Sequence, residues 1–269
     1  MLIVDAHVHL WGSGKPNTAH RQIPVQTGEA LIEEMDAIGV DAAVIQPPSW
    51  DPTGNEFASA AAAKHPKRFA ILGSFPLDKP ESRLLVDTWK QRPGMKGLRF
   101  TFAQPGQDTW PTDGTMDWLW PAAERAGLPV ALAAANFLPT VGTIAARYPG
   151  LRLTIDHLGM PVRTTDDAGF VNLPMLLDLA KYPNVAVKTT AVPSNSTAPY
   201  PYRNIHKYLR QIYDSFGPER MFWGSDITRL NATWKQCLTL FTEEFDWLTP
   251  ADKELIMGRA LCRWIDWNL

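Results

Sequence analysis

What most limits the fold of this 269-residue chain is an alternation repeated along its length. Short, continuously apolar runs rich in β-formers are each followed by a longer amphipathic run. The apolar runs cover residues 2–9, 40–46, 69–75, 95–100, 129–135, 151–157, 185–189 and 220–226. The amphipathic runs cover 27–38, 55–64, 80–91, 116–126, 139–148, 173–181, 202–216 and 232–245. Strands that are apolar on both faces are those of a parallel sheet covered on both sides. Eight strand–helix units in about 250 residues fit an α/β fold of the (β/α)8 TIM-barrel type. A doubly wound sheet is the competing fold. It is disfavoured because Gly12-Ser13-Gly14-Lys15 lacks a third glycine and is cut by Pro16, so no nucleotide-binding loop follows the first strand. A single domain over residues 1–269 is expected, with a C-terminal helical extension opened by Thr249-Pro250-Ala251-Asp252.

Loop lengths add a direction. Helix-to-strand links (38–40, 125–129, 182–184, 216–218) are tight, whereas several strand-to-helix links (10–26, 101–115, 158–172, 190–201) are long. Long loops therefore gather at the C-terminal face of the barrel, where such barrels carry their sites. Formal net charge is −2, which gives no reason to expect a nucleic-acid or membrane partner. The longest apolar run, 128–138, is too short for a membrane span and contains Asn136. The first strand holds an acid and two histidines, unlike a signal peptide, so a cytoplasmic protein is expected. Cys237 and Cys262 lie far apart in helical patterns and suggest no disulfide framework.

The strand ends carry the chemistry. His7 and His9, two apart, would face one space. Arg99 ends the fourth strand, Asn136 follows the fifth, and His157 ends the sixth. Lys188 ends the seventh and Asp226 the eighth. Each has a structural explanation alone: an ion pair, a helix cap, a solvated charge. Five ionisable strand ends on one face favour an active site, because burying such charges unpaired costs several kcal/mol each.

Asp5-Ala6-His7-Val8-His9-Leu10-Trp11, Lys96-Gly97-Leu98-Arg99-Phe100, Asp156-His157-Leu158-Gly159-Met160-Pro161, Val187-Lys188 and Trp223-Gly224-Ser225-Asp226 together resemble the amidohydrolase superfamily, in its amidohydrolase-related (amidohydrolase 2) branch. Similarity is greatest to its lactonases, the 2-pyrone-4,6-dicarboxylate hydrolases and sugar-lactone hydrolases. The resemblance implies that Asp226 is the general base, with His7, His9 and His157 about the reacting centre. It implies that Arg99 holds a substrate carboxylate. Lys188, Asn136, Tyr202, Arg203 and Trp11 are further substrate contacts on this reading, and Trp50 joins Trp11 at the pocket.

Metal-dependent relatives usually add a histidine after the fifth strand; here that stretch is Pro129-Val130-Ala131-Leu132-Ala133-Ala134-Ala135-Asn136. A metal would be left with His7, His9 and Asp226, still a workable zinc shell. Three readings follow: a lactonase for a carboxylated lactone needing no cofactor, a hydrolase or decarboxylase using one divalent metal (Zn or Mn), and a barrel that only binds a small acid. His20, His65 and His206 have no spacing that ties them to the site and are expected at the surface. Segment 191–203 serves as a lid or as plain surface loop. Trp247, Trp264 and Trp267 pack the last helices on the barrel or on a neighbouring subunit of a homo-oligomer.

Overall fold

A computed structural model describes residues 1–161 and 163–269; Val162, inside the long loop expected over 158–172, lies outside the described residues. Eight strands form the sheet: β1 (Val4–Val8), β2 (Ala42–Ile45), β3 (Phe69–Gly73), β4 (Met95–Phe100), β5 (Val130–Leu132), β6 (Leu153–Ile155), β7 (Val185–Thr190) and β8 (Met221–Gly224). They pair in parallel in chain order, β1 through β8. The last seam is closed differently. Asp226 N donates to His7 O at 2.9 Å. The buried Asp5 carboxylate accepts from Ser225 N and from the Trp234 indole, each at 2.9 Å. The architecture is the expected (β/α)8 barrel, with the end of the eighth strand joined to the first by the Asp226 backbone bond and the Asp5 side chain rather than by a full ladder.

Around the barrel run α1 (Gly28–Ile38), α2 (Gly54–Lys64), α3 (Leu119–Arg125), α4 (Leu138–Arg147), α5 (Asp166–Gly169), α6 (Leu173–Asp178), α7 (Arg203–Phe216) and α8 (Trp234–Thr239). Local chemistry sets their ends. The Thr27 hydroxyl accepts from Ala30 N at the start of α1, and Gly39, at φ 80°, ends it in the left-handed conformation that glycine adopts freely. Inside the barrel small side chains (Ala6, Ala42, Ala70, Ala131, Ala186) leave room for Val4, Val44 and Phe222. The extension, α9 (Pro250–Glu254) and α10 (Ala260–Trp264), plugs the N-terminal end with Leu261, Ile265 and Trp267. Gly258 permits this, since a Cβ there would fall 2.9 Å from Leu2 O. Among the described residues no helix is long and apolar enough to cross a membrane.

One expected helix forms differently. Residues 80–91 make two 3₁₀ turns, Pro80–Leu85 and Trp89–Gln91. Ser82, Val86 and Trp89 are the buried residues there, and Trp89 is held by its indole donating to Gly97 O at 2.9 Å. The last turns of the run at 232–245 widen into a π-helical segment, Leu240–Glu244.

Candidate active site

The site begins with an irregularity in β1. Asp5 pairs with Ala43 of β2, but Val8 pairs with Ile45, so three residues of β1 span two of β2. Such a bulge reverses the side-chain parity beyond it. Asp5 reaches outward to Trp234 of α8, whereas His7 turns into the barrel mouth and meets His157, ring centroids 4.8 Å apart. His9 lies just past the strand. Its Nδ1–H donates to Gln46 O at 2.6 Å, which leaves Nε2 facing inward, 3.3 Å from His7 Nε2. The histidine pair expected from alternation is therefore adjacent, but the bulge and the Gln46 bond aim it.

Asp226 faces this pair. Its Oδ1 lies 3.2 Å from His9 Nε2, and its Oδ2 lies 3.8 Å from His157 Nε2 and 3.3 Å from Arg229 Nε. Neither oxygen has a partner in hydrogen-bond geometry among the described residues. Burial alone would raise this carboxyl, yet His9, His157 and Arg229 outweigh it and hold it down at about 2. Burial lowers His157 to about 4 and lowers His7 well below an ordinary histidine, so both are neutral at neutral pH. His157 Nδ1 is engaged by the Thr190 hydroxyl at 2.7 Å, which fixes its ring and leaves Nε2 toward Asp226. Asp226 and His157 both sit at left-handed φ, 54° and 50°. Non-glycine residues hold that conformation only where their surroundings enforce it, and such residues cluster at functional sites.

Beside this cluster lies a second acid, Asp156. Arg99 Nε bonds its Oδ2 at 2.7 Å, and Lys188 Nζ lies 2.9 Å from its Oδ1. Lys188 is fully buried, with its ammonium against Asp156. Burial opposes the ionised form of Asp156, but Lys188 and Arg99 prevail and hold its pKa low.

Arg99 also lines an open cavity of about 520 Å³. Its walls come from the loops after β2, β3 and β4, with Asp51, Asn55, Ser74, Phe102, Gln107 and Trp110 among them. Asp51 ties two loops together by accepting from Gly12 N, Ser13 N and Thr53 N.

Other expected residues lie apart from the cluster. Arg203 is exposed and pairs with Glu244 at 3.4 Å, and Asn136 is exposed. Tyr202 is buried against Tyr200. Trp11 is fully buried, its indole donating to Ile23 O, so it anchors its loop rather than lining open space. His20, expected at the surface, instead packs edge-on to His9, ring centroids 4.9 Å apart, with Nδ1 bonded to Thr228 Oγ1 at 2.9 Å. Arg229, Asp156, Thr190 and Gln46 also belong to the site. Asp156 and Arg229 flank motif residues and were visible in the sequence as charges, but nothing in their spacing paired them.

The cluster also fits a metal. His7, His157 and Asp226 bring one donor each within 4.8 Å of one another, and so do His9, His20 and Asp226. Orphaned, buried oxygens on Asp226 beside neutral imidazoles are the nitrogen and carboxylate donors that zinc takes.

The chain matches known proteins over nearly its full length. It is 26% identical to an L-fucono-1,5-lactonase of Burkholderia ambifaria over 240 residues, 84% of this chain and 81% of that protein. Its fold superposes on an amidohydrolase of Burkholderia multivorans with bound zinc at a TM-score of 0.84, with 20% identity and 99% of each chain covered. It also superposes on a probable 2-pyrone-4,6-dicarboxylic acid hydrolase of Acinetobacter baumannii, solved with citric acid, at a TM-score of 0.77, with 19% identity over 99% of this chain and 100% of that one. The model of the amidohydrolase family (Amidohydro_2) matches residues 4–260, so the chain belongs to the amidohydrolase family and is a hydrolase.

Proposed function

We propose that this hydrolase is a lactonase in which Asp226 activates water. One observation carries the reading: a buried carboxylate, held ionised, turns two oxygens with no hydrogen-bond partner among the described residues toward His9 and His157 at the end of β8. Water attacks the lactone carbonyl carbon as Asp226 accepts its proton, and the carbonyl electrons move onto oxygen. His157 and the Arg229 guanidinium, both beside Asp226 Oδ2, stand where that negative charge develops. The intermediate collapses, the ring C–O bond breaks, and Asp226 returns its proton to the leaving alkoxide, giving a hydroxy acid. The groups that keep Asp226 ionised also weaken it as a base. A divalent metal held by Asp226 and the histidines gathered beside it would acidify the water and offset that weakness.

The substrate reading is a polyhydroxylated lactone. Carboxylates and amides (Asp51, Asn55, Gln107) beside aromatic faces (Phe102, Trp110) suit hydroxyls and the C–H faces of a sugar ring. The L-fucono-1,5-lactonase relative, whose name is that of a sugar-lactone hydrolase, supports it. A carboxylated lactone is the second reading, favoured by Arg99 in the cavity wall; against it, Arg99 Nε is already spent on Asp156 and Arg203 faces solvent. A proton-release assay over aldonolactones and carboxylated lactones, before and after chelation, separates the two. Turnover of the sugar lactones that collapses in Asp226→Asn is expected. Inactivity toward both classes, or full activity in that variant, overturns the lactonase reading.

A further inference from the structure

His20 comes from the loop after β1, outside the strand-end motifs, yet it is part of the same cluster. Two bonds bring it there. Arg21 N donates to Thr228 O at 2.7 Å, and the His20 Nδ1 bond to the Thr228 hydroxyl fixes the ring, leaving Nε2 as its open nitrogen. Trp50 closes over the far side, ring centroids 4.7 Å from His20.

The neighbouring atoms converge on one space. His9 donates through Nδ1 to Gln46, which leaves Nε2 directed inward. That nitrogen lies 3.2 Å from Asp226 Oδ1 and 3.3 Å from His7 Nε2. Donors on a tetrahedral zinc, with bonds of about 2.0–2.1 Å, lie roughly 3.4 Å apart. The side of Asp226 that is open to a cation is also defined. Arg229 stands at Oδ2, which disfavours a second cation in the His7–His157 set, while Oδ1 faces His9. β5 offers no donor, since Ala133 and Ala134 follow it.

We propose that His20 is a metal-ligating residue, joining His9 and Asp226, with His7 at their side, in a divalent-cation site whose last donor comes from a loop instead of a strand. Three imidazoles and one carboxylate select a zinc-like ion over magnesium or calcium. The proposal concerns cation binding and is independent of the substrate.

The test is zinc competition against a chromophoric chelator, on full-length, substrate-free protein, with the visible spectrum of the Co²⁺-loaded form as second readout. Wild type should take up one equivalent. His20→Ala should weaken zinc roughly 10- to 100-fold and change the Co²⁺ spectrum. His20→Asn, which keeps a polar partner for Thr228, should lose as much, separating a lost ligand from a loosened loop and standing in if the alanine variant does not fold. His65→Ala should match wild type. Wild-type protein that binds no zinc, or a folded His20 variant with wild-type affinity and spectrum, overturns the proposal. Because no lactone is present, failure of the lactonase reading leaves this result unaffected.

Discussion

Asp156 and Asp226 sit in the same barrel mouth, both fully buried and both held ionised, yet they are built to opposite ends. Asp156 is enclosed by Lys188 and Arg99, which leave it little reach for anything new. Asp226 is surrounded by cationic and imidazole groups but hydrogen-bonded to none of the described ones. A buried carboxylate closed by its partners is a strut. One whose partners stop short is free to take a proton or a cation. Burial and ionisation alone do not distinguish the two; Asp156 accepts a hydrogen bond from Arg99 and holds the Lys188 ammonium at 2.9 Å, whereas the guanidinium beside Asp226 stands off at 3.3 Å.

The comparison can be broken most forcefully at Asp226. Asp226→Asn should lower kcat about a thousandfold, equivalent to about 4 kcal/mol, with the fold intact by circular dichroism. Retention of a tenth of the activity would make Asp226 another strut. Asp156→Asn should act on stability instead, costing about 3 kcal/mol in urea denaturation by stranding Lys188 and Arg99. The double variant Asp156→Asn/Lys188→Met should lose less than the single; equal or larger loss would contradict an enclosed ion cluster.

Acidification should come next in size. Burial lowers His7, His20 (to about 3) and His157 (to about 4), so their stabilisation is complete above the unfolded value near 6.5 and is lost as pH falls through the folded values. Asp5 has the opposite sign. Burial raises it to about 6, so its contribution is complete below the unfolded value of 3.8 and lost as pH rises through 6. Three histidines against one acid give a net loss of about 2 kcal/mol between pH 7 and 5, after allowance for the partial exposure of His20. A flat or rising urea midpoint on acidification would refute the neutral-histidine cluster.

Thr190→Val should lower kcat about tenfold with KM unchanged, by freeing the His157 ring, the scale of one well-placed hydrogen bond. Smallest of all, Arg203→Ala should leave KM unchanged and shift stability by less than about 0.5 kcal/mol, since its ion pair is at the surface. A raised KM would return Arg203 to the substrate.

The fold was legible because eight apolar runs buried on both faces have few ways to pack, and tight turns on one side leave the long loops on the other. His7, His9, His157 and Asp226 were legible because strand ends converge in a barrel. The directions of their side chains were not. Simple alternation carries no sign of the β1 bulge, and nothing local tells that Lys188 would turn to Asp156. His20 was missed because its position depends on Thr228, which lies 208 residues away in sequence. Arg203 faces solvent beside Glu244, a direction not legible because a residue at a helix start can face outward as readily as inward.

The left-handed backbone at Asp226 has a consequence for how this protein can change. An aspartate there is held against a preference of about 1–3 kcal/mol, in a conformation glycine adopts freely. Removing the carboxylate also removes two desolvated oxygens. Substitution by glycine should therefore yield a barrel that melts higher and hydrolyses nothing. In a screen for thermostability alone, the variants that rise first would include those that lack this carboxylate.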